Sequence, residues 1–226
     1  MRYEIIGDNL PVLKLELNKG EKIITEAGAM SWMTPTIQMG TTSKGGVGKA
    51  FGRLFSGESL FLNEFTCKGE SGGLALASAF PGTILPVRVT SYGGIIAQKS
   101  AFIACEENVE LSTHIQKKIG VGFFGGEGFI MQKLSGDGLA FLEIDGHCEI
   151  VDLNQGEEII VGTGHLAAMD ESCKMDIIGV EGFKNVFFGG EGLFLTKVTG
   201  PGKVYLQGMP IQGIAKVIAQ NTITTN

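Results

Sequence analysis

Residues 43–50 form the stretch whose composition most suggests ligand chemistry. They read Ser-Lys-Gly-Gly-Val-Gly-Lys-Ala, which has the glycine and lysine spacing of a phosphate-binding loop. In such loops backbone N–H groups face phosphate oxygens, lysine reaches the terminal phosphates, and a following Ser or Thr binds magnesium. Ala50 occupies that last position, and Gly40-Thr-Thr stands where a hydrophobic strand should end. The sequence therefore predicts a glycine-rich loop here and no nucleotide cofactor.

A glutamate that directly follows a glycine recurs along the chain. The dipeptides are Gly57-Glu58, Gly126-Glu127 and Gly190-Glu191. Carboxylates grouped around an axis could hold a hard cation, whose preferred ligands are oxygens. A glutamate beside glycines can instead accept hydrogen bonds from turn N–H groups. Because repeats preserve turns for folding reasons, we favour the structural role and expect no metal. The cation site would require these carboxylates to converge.

The cysteines and histidines are scattered. Consecutive cysteines are at least 25 residues apart, which argues against a metal site and favours reduced thiols at Cys67, Cys105, Cys148 and Cys173. His147 adjoins Cys148, but neighbouring side chains on a strand point to opposite faces and cannot act as nucleophile and base. His165 lies in a glycine-containing turn, where we expect a hydrogen-bonded structural role. We identify no catalytic residue and expect a protein that is not an enzyme.

Aromatic pairs precede two of the repeated glycine turns. Exposed phenylalanines could stack on bases, enter a lipid interface or bind a partner. Burial between neighbouring units is the interpretation that we favour, because large apolar side chains are mostly core. Basic residues near the first turn make a short amphipathic stretch, which leaves membrane contact open. The candidate partner or ligand surface consists of Lys44, Lys49, Arg53, Phe123, Phe124, Phe187 and Phe188.

The candidate glutamates belong to an internal repeat. A shared pattern occurs at residues 55–66, 124–135 and 188–199, with offsets of 69 and 64 residues. Each copy is followed by glycine and a second apolar stretch, which predicts strand, turn, strand. The sequence thus predicts three similar units, fused into one body. Their boundaries are 1–82, 83–146 and 147–226, the last with a C-terminal helix.

Short runs of alternating apolar and polar residues fill each predicted unit. Alternation of this kind, as in Leu13, Leu15 and Leu17, is typical of β-strands. Helical spacing is confined to residues 49–55, 109–118 and 210–220. Because a unit of this size would be marginal alone, we expect the units to pack together. We predict an all-β fold of antiparallel sandwich or short double-stranded β-helix units with pseudo-threefold organisation. Met30, Trp32 and Met33 are expected in its core.

The overall composition narrows the function further. A net charge of −6 opposes non-specific binding to nucleic acid or anionic lipid. No apolar run reaches the 18 residues of a spanning helix, so an integral membrane protein is not expected. Residues 1–10 contain Glu4 and Asp8 and lack the pattern of a signal peptide, which predicts a cytoplasmic location.

Several linked motifs resemble a known family, the bacterial members of the mitochondrial biogenesis (altered inheritance of mitochondria) group, a domain of unknown function. They are Ala27-Gly-Ala-Met-Ser-Trp-Met33, Gly57-Glu-Ser-Leu-Phe-Leu-Asn63, Gly162-Thr-Gly-His-Leu166, Gly189-Gly-Glu-Gly-Leu-Phe194 and Gly200-Pro-Gly-Lys-Val-Tyr-Leu-Gln207. The resemblance implies a fold similar to that of the tryptophan-responsive RNA-binding attenuator protein. It also implies assembly as a homotrimer and transfers no catalytic residue.

Three candidate functions follow from these observations. We expect a homo-oligomeric, non-enzymatic β-scaffold that binds a protein partner or small ligand, because no acid, base, nucleophile or metal cluster converges in the sequence. The alternatives are an RNA-binding ring, which depends only on the likeness of fold, and a peripheral membrane-associated scaffold. A continuous basic stripe with exposed aromatic residues would favour RNA.

Overall fold

The computed structural model describes residues 1–41, 62–117, 129–179 and 194–211, together with residues 213, 214 and 218. Strand β1 (Arg2–Ile6) comes first. Three sets of six strands follow it. The first set is β2 (Val12–Asn18), β3 (Lys22–Glu26), β4 (Met30–Met33), β5 (Ile37–Thr41), β6 (Leu62–Cys67) and β7 (Ser71–Ala77).

The other two sets continue along the chain. The second is β8 (Gly82–Val89), β9 (Ile95–Gln98), β10 (Phe102–Glu106), β11 (Val109–Lys117), β12 (Phe129–Gly136) and β13 (Gly138–Asp145). The third is β14 (Cys148–Leu153), β15 (Glu158–Gly162), β16 (Leu166–Asp170), β17 (Lys174–Gly179), β18 (Phe194–Thr199) and β19 (Gly202–Gln207). Short 3-10 turns at Lys99–Ala101 and Thr163–His165 connect strands of these sets. The all-β class predicted from the sequence is confirmed.

All the strand pairs are antiparallel, and the strands form four sheets in the described part of the chain. The sheet orders are β1-β2-β7-β4, then β5-β6-β3-β10-β13-β8, then β11-β12-β9-β16-β19-β14, and β15-β18-β17. In every set the sixth strand lies between the first and the third, as β7 lies between β2 and β4. The fifth strand lies between the fourth and the second, as β6 lies between β5 and β3. The second strand of one set then pairs with the third strand of the next set. We call these contacts, β3 with β10 and β9 with β16, the junctions.

The strands form where apolar residues alternate with polar ones. Leu13, Leu15 and Leu17 of β2 are buried on one face, as the two-residue period of a strand requires. A tight turn follows, in which the Asn18 N–H donates to Oε2 of Glu21 at 2.7 Å and Gly20 has a φ of +83°. The corresponding turn after β14 has the same bond from Asn154 to Glu157, at 2.9 Å. Glycine is required at the left-handed position because other residues are strained there.

An irregularity in pairing recurs at one place in each set. The third strand shifts register against the sixth between Met30 and Trp32, between Phe102 and Ala104, and between Leu166 and Ala168. A β-bulge of this kind bends its strand and increases the local twist. The recurring pairing order and bulge support the predicted pseudo-threefold organisation in space, which stays a prediction.

The buried apolar side chains fill the space between the sheets. One cluster packs Leu13, Phe65 and Leu76 of the first set with Phe141 of the second. A second cluster, which includes Ile24, Leu142 and Tyr205, draws on all the sets. The junction residues Ile24, Cys105, Ala97 and Ala168 belong to this shared cluster, as is typical of fused repeat units.

The predicted helices fare differently from the strands. The helix predicted at residues 109–118 is wrong, because β11 extends from Val109 to Lys117 and pairs with β12. Its residues Val109, Leu111 and Ile115 meet apolar neighbours from a strand, so the local spacing was overridden by sheet pairing. At the C-terminus Ile211, Gly213 and Ile214 are helical. Ile218 is helical as well and Pro210 is not; the other residues of the 210–220 prediction, and all of 49–55, lie outside the described residues.

Candidate functional site

Most side chains that the sequence singled out lie outside the described residues. These are Lys44, Lys49, Arg53, Gly57, Glu58, Phe123, Phe124, Gly126, Glu127, Phe187, Phe188, Gly190 and Glu191. Their roles in turns, in ligand contact or around a cation stay predictions. The same holds for the glycine-rich loop at 43–50.

His165 is the described member of the candidate set, and it ends the 3-10 turn that follows β15. Its Nδ1–H donates to the carbonyl oxygen of Gln207 at 2.8 Å. The Gln207 Nε2 in return donates to the carbonyl oxygen of Gly164 at 2.7 Å. These bonds attach the turn to the end of β19, which is the geometry that a structural role needs; the role itself stays a prediction.

No disulfide joins the cysteines, all of which lie in the described part of the chain, and their side chains are largely shielded from water. Burial raises the pKa of the Cys148 thiol. Burial, helped by the nearby Asp170 carboxylate, raises the pKa of Cys173 to about 11. Because the thiolate is the nucleophilic form, neither group is activated for catalysis at neutral pH. Within the described ranges, no group of three or more His, Cys, Asp or Glu side chains is placed to hold a metal ion.

The edge of β4 carries exposed apolar side chains, and here the sequence-based prediction of a core position is wrong. Met30 is 36% exposed, Trp32 46% and Met33 38%. The reason is the position of β4 at the end of the sheet β1-β2-β7-β4, where β7 is its one partner among the described strands. A strand that lacks one neighbour leaves backbone donors and acceptors unpaired along that edge.

The edge of β15 is the second open apolar strand. β15 lies at the end of the sheet β15-β18-β17, and Ile160 is 59% exposed. The adjacent charge is neutralised, since Glu158 accepts from Nζ of Lys197 at 3.1 Å and from the Thr199 hydroxyl at 3.2 Å. That ion pair and hydrogen bond lower the pKa of the Glu158 carboxyl. β15 thus offers an apolar strand edge whose neighbouring acid is already paired.

The strands equivalent to β4 and β15 in the other sets are covered. In β10 and β16 the residues matching Met30, Trp32 and Met33 are all 2% exposed or less: Phe102, Ala104, Cys105, Leu166, Ala168 and Met169. The residues of β3 and β9 that match Ile159, Ile160 and Val161 are 5% exposed or less: Ile23, Ile24, Thr25, Ile95, Ile96 and Ala97. The junctions cover them, because β3 pairs with β10 and β9 with β16.

Both junctions have the same register. In the first, Ala104 pairs with Thr25 and Cys105 with Ile24. In the second, the corresponding pairs are Ala168 with Ala97 and Met169 with Ile96. Because the register is the same at both junctions, equivalent side chains are cross-strand neighbours in each. Such neighbouring pairs are the units that stabilise a sheet.

Polar groups lie beside each junction. At the first, the buried Glu143 carboxylate accepts from the Ser78 hydroxyl at 2.6 Å and from the Phe80 N–H at 2.9 Å. Removal from water, and then repulsion from Glu143, raise the pKa of Glu26 to about 7, against the opposing effect of Lys99. At the second junction, Nε2 of Gln98 donates to the Leu166 carbonyl oxygen at 2.6 Å. The Gln98 contact joins the ends of β9 and β16, whereas the Glu143 contacts hold β13 to the connection between β7 and β8.

A further polar contact recurs in all the sets, beside the third strand. The Gly73 N–H donates to the hydroxyl of Thr34 at 3.1 Å. At the matching places the Leu139 N–H donates to Glu106 and the Lys203 N–H to Asp170, each at 2.8 Å. These acceptors were missed in the sequence, because a hydroxyl and two carboxylates perform the same role. The acids are thus engaged with backbone.

The arrangement is suited to binding strands. The open edges of β4 and β15 present apolar side chains and unpaired backbone groups, which can accept another strand. The described part of the chain contains no helix that is long and apolar enough to span a bilayer. We therefore take these two edges, residues 30–34 and 158–162, as the candidate site.

Comparison with known proteins places the fold among solved structures. The chain is similar to the crystal structure of protein SPYM3_0169 from Streptococcus pyogenes, with a TM-score of 0.82 and 23% sequence identity. The alignment covers 98% of this chain and 99% of that one, so the likeness of fold extends over the whole length. A search of curated proteins finds no match.

A family model supplies the remaining comparison. The model described as Mitochondrial biogenesis AIM24 matches residues 3–209, which include both open edges and both junctions. The family resemblance inferred from the sequence motifs is confirmed. The chain belongs to the mitochondrial biogenesis AIM24 family.

Proposed function

We propose that the chain is a homo-oligomeric β-scaffold without enzymatic activity, which binds a protein partner or a small ligand. The observation that supports this function is the exposure of β4 and β15, whose equivalents elsewhere in the chain are buried. Apolar strand edges left in water favour association with further strands. An assembly of copies would bury them and complete the pairing pattern.

A homotrimer is the assembly that we favour. It agrees with the family resemblance, which also implies a fold like that of the tryptophan-responsive RNA-binding attenuator protein. The remaining candidate surface, Lys44, Lys49, Arg53 and the phenylalanine pairs, would then be presented in several copies to a partner. Multiple presentation increases apparent affinity without new contacts. A cytoplasmic location stays a prediction of the sequence.

The absence of enzymatic activity is supported by how the reactive groups are engaged. Burial keeps the thiols of Cys148 and Cys173 protonated. The carboxylates of Glu106 and Asp170 accept hydrogen bonds from backbone N–H groups. The buried carboxylate of Glu143 accepts hydrogen bonds from a hydroxyl and a backbone N–H. These hydrogen bonds hold the carboxylates against the fold, which favours a structural role over that of a general base.

RNA binding is less well supported than a protein or small-molecule partner. Several described cations are paired with carboxylates: Arg2 with Glu16, Lys19 with Glu70, Arg88 with Asp137 and Lys197 with Glu158. A net charge of −6 opposes a phosphate backbone further. Binding of a single-stranded RNA oligonucleotide that weakens steeply with salt would reverse this preference.

The mass of the purified protein in solution tests the proposal. Light scattering on a size-exclusion column should give three times the chain mass of 23.9 kDa, with dissociation only on strong dilution. A mass equal to one chain at every concentration would overturn the homo-oligomer. Another multiple would keep the oligomer and overturn the trimer.

A further inference from the structure

We propose that β4 of one copy pairs antiparallel with β15 of a second copy. The proposed register places Trp32 opposite Val161 of the partner subunit, Met33 opposite Ile160 and Thr34 opposite Ile159. This inference rests on the proposed homo-oligomer and names the surfaces that join it. The occupant of each open edge is therefore another copy of this chain.

Comparison of all the edge strands singles out these two. The fourth strands β5, β11 and β17 are outer edges in every set. The first strands β8 and β14 are also outer edges, and β1 covers the corresponding β2. By contrast, β4 and β15 lie at sheet edges, whereas the strands equivalent to β4 (β10 and β16) and to β15 (β3 and β9) are paired on both sides. Within the chain, the second strand of one set pairs with the third strand of the next set at two places. Among the described strands, only β4 and β15 lack the partner that this rule would give them.

The incomplete pattern has complementary ends. Each junction joins the second strand of one set to the third strand of the next. β15 is the second strand of the last set, and β4 is the third strand of the first set. One copy therefore supplies the strand that the next copy lacks. Such a head-to-tail joint repeats from copy to copy and forms a ring where the rotation between copies closes.

The register follows from equivalent positions. Ile24, Ile96 and Ile160 match one another, since they pair with Glu64, Lys133 and Lys197 at one place in the sequence repeat. Cys105, Met169 and Met33 match because each follows the bulge at the same distance. The junctions pair Cys105 with Ile24 and Met169 with Ile96. The same rule pairs Met33 with Ile160.

The chemistry of the facing strands fits this register. Met33 and Ile160 are both apolar and are 38% and 59% exposed, so pairing would remove both from water. Glu158 at the start of β15 is already paired with Lys197. Pairing of β4 with β15 would therefore bury the Glu158 carboxylate together with its partner Lys197, which avoids the cost of an isolated buried charge.

A disulfide across the joint tests the register. In the double variant Met33→Cys/Ile160→Cys, facing side chains should come within the 4.4–6.8 Å Cα separation of a disulfide, roughly the spacing of directly opposed residues. After treatment with oxidised glutathione, non-reducing gels should show covalent multimers up to the native oligomer. Met33→Cys/Ile150→Cys is the matched control, because Ile150 is exposed on β14, outside the joint.

Each single variant gives a different result under other arrangements. Cross-linking by Met33→Cys alone would show β4 paired with itself, and cross-linking by Ile160→Cys alone would show β15 paired with itself; both overturn the proposal. Co-expression of the two single variants with different tags repeats the test in chains that carry one change each. A hetero-tagged disulfide dimer is expected.

The result also separates this inference from the proposed function. A native oligomer that forms no disulfide in the double variant or the co-expressed pair overturns the joint and leaves the homo-oligomer standing. A wild-type protein that is monomeric throughout overturns both. Cross-linking in the Ile150→Cys control as strong as in the test pair would also contradict the register.

Discussion

We expect the carboxyl group of Glu26, beside the first junction, to make the stability of this fold sensitive to pH. Much of the Glu26 residue is exposed, yet the surrounding protein and then the Glu143 charge raise the pKa of its carboxyl to about 7. Glu143 itself is held by the Ser78 hydroxyl and the Phe80 N–H. The folded state therefore binds a proton at Glu26 more tightly than the unfolded chain does.

The sign of the effect follows from linkage. A carboxyl whose pKa rises from 4.5 to about 7 on folding destabilises the fold as pH rises between those values. We predict that the free energy of unfolding falls over this range in the wild type and falls less in Glu26→Gln. Urea titrations at several pH values measure the slope. Glu4→Gln, on the exposed strand β1, is the matched control; equal slopes in Glu26→Gln and wild type would contradict the prediction.

At the residue scale, one recurring hydrogen-bond acceptor could not be recognised in the sequence. Thr34, Glu106 and Asp170 each accept a backbone N–H at the same place in their sets. Their side chains share only an oxygen, so no residue pattern identifies them. A glycine marks a turn more clearly: Gly20 and Gly156 have φ values of +83° and +77°, a conformation that few other residues tolerate.

At the scale of elements, equivalent strands differ in what covers them. Ile24 of β3 is buried in a junction, whereas the matching Ile160 of β15 is exposed in the single chain. The first contact lies within one chain and the second, in our proposal, between chains. Their energetic consequences should therefore differ in their dependence on protein concentration.

Truncation of these isoleucines tests that difference. We predict that Ile24→Ala lowers the free energy of unfolding by about 2–5 kcal/mol at any protein concentration, because it leaves a cavity in the core. Ile160→Ala should lower apparent stability by an amount that changes with concentration, because it weakens assembly. Chemical unfolding over a hundredfold range of concentration distinguishes them. A concentration-independent loss in Ile160→Ala would place that side chain outside any interface.

The strands themselves were largely predictable, and the errors have a common cause. Alternation identified β2, and the repeat identified the strands that follow each glycine turn. The spacing of residues 109–118 suggested a helix, but pairing with β12 makes them a strand. Met30, Trp32 and Met33 were predicted as core from their apolar character. Their burial depends on whether a neighbouring strand is present, which is not encoded in local sequence.

At the scale of the molecule, the chain is a series of three strand sets. The first and last sets each contain one strand, β4 or β15, that lacks the partner its equivalents have. Its two internal junctions show how one set joins the next. In our proposal, the open edges β4 and β15 are the complementary halves of a third such contact. Closure between copies would remove both edges, which is how β proteins avoid uncontrolled edge-to-edge association.

The fluorescence of Trp32 tests this account most directly, because Trp32 is the chain's single tryptophan and lies on β4. Ile160→Lys changes a residue of β15 that is 59% exposed within one chain, and Ile150→Lys changes one on β14 that is 47% exposed. We predict that Ile160→Lys shifts Trp32 emission to longer wavelength and increases its quenching by acrylamide, while Ile150→Lys leaves both as in the wild type. Identical emission and quenching in Ile160→Lys and the wild type would contradict pairing between β4 and β15.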